Sequence, residues 1–69
     1  MRQFDDFKSA LECFRLYGGA MNEDQGLFFV GSYDEINDVV DDPRQSTEQA
    51  LHMGGMSEQE IKDELIYWQ

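Results

Sequence analysis

The chain has 69 residues, 41% of them hydrophobic, which suits one small domain spanning 1–69 and is too apolar for a disordered acidic tail. Fifteen Asp and Glu against five Lys and Arg leave a formal net charge of −10, a field that repels nucleic acid and anionic membranes and attracts basic surfaces. The single cysteine, Cys13, excludes an intramolecular disulfide, and an unstapled domain with one free thiol points to a reducing compartment, the cytoplasm.

The first predicted element is a helix from about Asp5 to Leu16. Phe4, Phe7, Leu11 and Phe14 recur along one face of it. Asp5 or Asp6 supplies the cap, and Gly18-Gly19 stops the helix. A polar turn, Asn22-Glu23-Asp24-Gln25-Gly26, leads into Leu27-Phe28-Phe29-Val30, whose length and aromatic and β-branched content predict a strand. The segment from Tyr17 to Met21 is its candidate hairpin partner.

Three serines then repeat one spacing: Ser32 before Glu35, Ser46 before Gln49, and Ser57 before Glu60. Each is a capping box, in which the serine oxygen accepts from the N3 amide and the N3 side chain reaches back. They predict helices from about Tyr33 to Asp41, Thr47 to Met53 and Glu58 to Trp68. Pro43 ends the first of these and restricts Asp42. Gly54-Gly55 ends the second. Met56 is placed to staple onto Ile61, and Ile61, Leu65 and Trp68 share the inner face of the last helix. The expected fold is α+β: a mostly helical domain with about four short helices and a short β-hairpin or strand near 27–30.

The helix over 33–41 carries the most informative pattern. Asp34, Glu35, Asp38, Asp41 and Asp42 fall within about 120° of a helical wheel, with no cation among them. Tyr33, Ile36, Val39 and Val40 fall opposite and are expected to be buried. Like charges at i,i+4 cost about 0.2–0.5 kcal/mol each, and Asp41 and Asp42 sit where the macrodipole disfavours anions. Mutual repulsion predicts raised carboxylate pKa values and greater stability as pH falls from neutral towards about 5. Glu60, Asp63, Glu64 and Tyr67 form a second, mostly acidic stripe on the last helix.

The carboxylates do not assemble a known chemistry. An EF-hand loop with Gly26 sixth would place Met21 first and Ser32 twelfth, and neither fits its role. Zinc would need more Cys and His than Cys13 and His52. The glycine pairs lack the lysine and spacing of a phosphate loop. Acid–base catalysis needs two carboxylates in different environments, not a solvated row. The expectation is a non-enzyme with no cofactor and no metal. No apolar run approaches the roughly 20 residues that span a bilayer. Asp5 and Asp6 interrupt any signal-peptide pattern.

Five carboxylates along residues 34–42 of a helix would give one charge per roughly 2.4 Å, against one per about 1.7 Å of duplex DNA. In size, charge, free cysteine and compact helical pattern, the whole chain resembles the small phage-borne DNA-mimic inhibitors, the anti-CRISPR and anti-restriction proteins. The resemblance implies an inhibitor acting in the host cytoplasm, whose partner is a basic nucleic-acid-binding protein such as a CRISPR effector or restriction nuclease. Asp34, Glu35, Asp38, Asp41 and Asp42 would be the main contacts, with Glu60, Asp63 and Glu64 second. The alternative is an antitoxin-like or adaptor protein binding through an apolar surface, either Leu27–Val30 as an edge strand or Tyr67 and Trp68. So small a chain buries only about 60% of its unfolded surface, so a homodimer is one way to extend its core.

Overall fold

The computed structural model describes residues 1–66. Among them the elements run β1 (Arg2–Phe4), α1 (Phe7–Tyr17), β2 (Ala20–Asp24), β3 (Leu27–Gly31), α2 (Tyr33–Asn37), α3 (Pro43–Met53) and α4 (Glu58–Ile66). The fold is a small α+β domain of four helices and one antiparallel three-stranded sheet. No helix among the described residues is long and apolar enough to cross a membrane.

The hairpin forms where the aromatic run predicts it, but its turn is tighter than expected. Asn22, Glu23 and Asp24 extend β2, and Gln25 and Gly26 alone make the turn, with φ of 53° and 82°. Positive φ at both central residues matches the right-handed twist of the flanking strands. The Glu23 carboxylate accepts from the Gly26 amide at 3.0 Å and braces the loop.

Strand order is β1-β3-β2, so Leu27–Gly31 is central. This corrects the expectation of an exposed edge at Leu27–Val30. Arg2–Phe4 is a strand rather than an approach to the helix, and Phe4 pairs directly with Phe28. The heptad-like spacing of Phe4 with Phe7, Leu11 and Phe14 reflects one shared core reached from two elements.

Helix α1 begins at Phe7, two residues later than Asp5. Asp6 is its N-cap and accepts from the Ser9 amide at 2.9 Å. Gly18, at φ 70°, closes it. Its face bearing Ala10, Cys13 and Phe14 joins Met21, Phe28 and Val30 of the sheet, Ala50 and Leu51 of α3, and Ile61 and Leu65 of α4 in the main core. Cys13 is buried there as a free thiol. The Phe7 and Phe28 rings meet at 5.3 Å, tilted by 59°, within the favourable range for aromatic pairs.

Helix α3 seals the free edge of β2. The Met21 amide donates to Thr47 Oγ1 at 2.9 Å, and Ser46 Oγ donates to the Met21 carbonyl at 2.9 Å. Thr47 Oγ1 in turn donates to the Pro43 carbonyl at 2.7 Å. Ser46 is therefore a buried mid-helix residue and not an N-cap, which corrects the capping box expected at Ser46–Gln49. The boxes at Ser32–Glu35 and Ser57–Glu60 form as predicted. Met56 packs against the core that contains Ile61. The part of α4 expected to continue to Trp68, with Tyr67 on its acidic stripe, lies outside the described residues.

Candidate functional site

The acidic segment 34–42 departs most from its sequence reading. Helix α2 stops at Asn37, with Asp38 as its C-cap. Three causes combine there. Val39 and Val40 are β-branched and poor helix formers. Carboxylates at a helix C-terminus oppose the macrodipole. Pro43 holds the preceding residue out of the helical region, so Asp42 sits at φ −131° and ψ 95°. Pro43 does not end a helix but starts one, at the first position of α3, where its missing N–H costs nothing.

The five carboxylates are consequently spread over four settings. Asp34 and Glu35 lie in the first turn of α2, Asp38 at its end, Asp41 in the connection, and Asp42 at the N-cap of α3. All five are exposed. The single continuous helix face is not formed. Nor is the apolar side as expected: Ile36 is fully buried, but Tyr33 is 52% and Val39 56% exposed.

Several of the expected contact residues already have internal partners. Asp42 accepts from the Arg44 and Gln45 amides, each at 3.2 Å, where a carboxylate is favoured by cap and dipole together. Glu35 takes the Met1 α-amino group at 2.6 Å and the Ser32 amide at 3.0 Å. The hydrogen bond from the Met1 amine, followed by that from Ser32, holds its carboxyl down to about 2. That is the reverse of the rise expected from repulsion, because the Glu35 carboxylate faces the Met1 cation and the Ser32 amide rather than its acidic neighbours.

On α4, Glu60 closes the Ser57 capping box, and Glu64 pairs with the Arg15 guanidinium, whose Nε donates at 2.9 Å. Asp63 accepts from the Gln59 side-chain amide at 3.2 Å. Among the described residues, Asp34, Asp38 and Asp41 have neither an ion pair nor a hydrogen-bond partner for their carboxylates.

Helix α3 packs against both α2 and α4 and so stands between the two acidic regions. A cleft of about 220 Å³ opens beside it, lined by Asn22, Val40, Asp41, Asp42, Gln45 and Gln49. The sequence pattern assigns Asn22 to a turn and Gln49 to a capping box and gives Gln45 no role, so it does not bring the three amides together. The signal was present: with Pro43 taken as a helix start, Gln45 and Gln49 fall at i,i+4 beside the Asp42 cap. His52 is exposed in the last turn of α3, and Cys13 is in the core. The described residues hold no group of three or more His, Cys, Asp or Glu arranged for a metal ion.

Compared with protein-family models, with curated proteins and with solved structures, the chain shows no significant match to any.

Proposed function

We propose that this protein is a DNA-mimic inhibitor that occupies the basic DNA-binding surface of a nucleic-acid-binding protein or complex, such as a CRISPR effector or a restriction nuclease. The observation that carries the reading is the density of unneutralised charge. None of the fifteen carboxylates is buried, and among the described residues only Glu35, Glu48 and Glu64 enter ion pairs. The fold is 27 Å along its longest axis, so a net charge of −10 amounts to one per about 2.7 Å. Duplex DNA of that length carries about 16 phosphates, at one charge per about 1.7 Å. A groove lined with Lys and Arg meets a comparable field from either, and both release counterions on docking.

Asp34, Asp38 and Asp41 are the leading contacts, because binding them breaks no internal bond. Asp42 adjoins Asp41 on the cleft that Asn22, Gln45 and Gln49 also line, and Asp63 belongs to the second acidic region, on α4. Glu35, Glu60 and Glu64 contribute to the field while holding the fold.

The test is a displacement assay of duplex DNA from a panel of basic DNA-binding complexes, at low and raised salt. Salt-sensitive displacement from a member of the panel is expected, together with its loss in the triple variant Asp34→Lys, Asp38→Lys, Asp41→Lys. A triple variant that displaces DNA as well as the parent would remove these residues from the contact set.

A second reading, an adaptor with an apolar docking surface, is favoured by Leu16, Tyr17 and Ile66, which are 78%, 71% and 67% exposed. The Arg15–Glu64 pair ties the α1 and α4 ends that carry them. Binding through that end would be insensitive to salt and to the Asp-to-Lys changes, and would fall with Leu16→Ser.

A further inference from the structure

We draw no further inference here: the strongest candidate, the cavity of about 340 Å³ between β1, the end of α1 and the start of α2 that reaches Cys13, has its one carboxylate, Glu35, already taken by the Met1 amine and the Ser32 amide, and nothing in the structure shows what would occupy it.

Discussion

Glu35 joins two parts of the chain that are 34 residues apart, since the same side chain closes the α2 capping box and receives the Met1 amine. Its folded pKa lies below the unfolded value, so its contribution to stability is complete above about 4.5 and is lost as pH falls towards about 2. In acid titrations followed by circular dichroism, Glu35→Gln is expected to flatten the pH dependence in that window. An unchanged acid limb would mean the amine and carboxylate do not pair in solution. Gly54 poses a different demand. Its backbone is helical, at φ −77°, so only space matters there, and a methyl group would run into the Phe7 ring. Gly54→Ala is expected to destabilise by about 1–3 kcal/mol through overpacking. Pairing it with Phe7→Leu should make the loss less than additive in urea melts. Additive losses would show that the ring has room to move. Gly19 is harder to replace, because it combines φ 87° with the Gly31 carbonyl oxygen standing where a Cβ would go.

Each helix in the described chain has a carboxylate at its N-terminus: Asp6, Glu35, Asp42 and Glu60. Part of the acidity is thus structural, placed where peptide dipoles favour it. The sheet's two edges are treated differently. β1 is only three residues long, which limits pairing with another chain, while the β2 edge is closed by hydroxyls from α3. Thr47 is fully buried and gives the Met21 amide its acceptor. Thr47→Val keeps the shape and removes that acceptor, leaving a buried donor unpaired. A loss of about 1–3 kcal/mol is expected in chemical denaturation. A neutral result would imply that water reaches the strand edge. At this scale the sequence was legible in uneven measure. The hairpin aromatics, the glycine stop after α1 and two of three capping boxes follow local rules that operate wherever those residues occur. The box at Ser46 failed because the same spacing also occurs inside a helix, and only packing against Met21 decides which use a serine hydroxyl finds.

Across the whole molecule, twelve of fifteen carboxylates stand without an ion pair among the described residues, within a body of 27 × 25 × 21 Å. Charges that close repel over distances comparable to the Debye length, which shrinks from about 10 Å at 0.1 M to about 3 Å at 1 M salt. The melting temperature at neutral pH is therefore expected to rise with added potassium chloride. A fall would mean that the Met1–Glu35 and Arg15–Glu64 pairs outweigh the net repulsion. The same field underlies the proposed partner: raised salt should stabilise the free protein while weakening its complex with a basic surface. Calorimetry of the free protein and a titration of the complex, run over one salt series, would show the two trends with opposite sign.

Charge, composition and the local hydrophobic pattern were properties of the sequence alone. They suffice for a single acidic α+β domain, for its hairpin and for most of its helices, because those features depend on neighbours a few residues apart. The arrangement of the candidate surface did not follow from them. A helical wheel over 33–41 assumes one uninterrupted helix, and Pro43 with the Asp42 cap made it more favourable to start a second helix than to prolong the first. Packing of α3 on the β2 edge, the partnering of Arg15 with Glu64 across 49 residues, and the pairing of Met1 with Glu35 then determined which carboxylates were left free. These are contacts between segments distant in sequence, and their energies are set by proximity in the folded state, which no local spacing encodes.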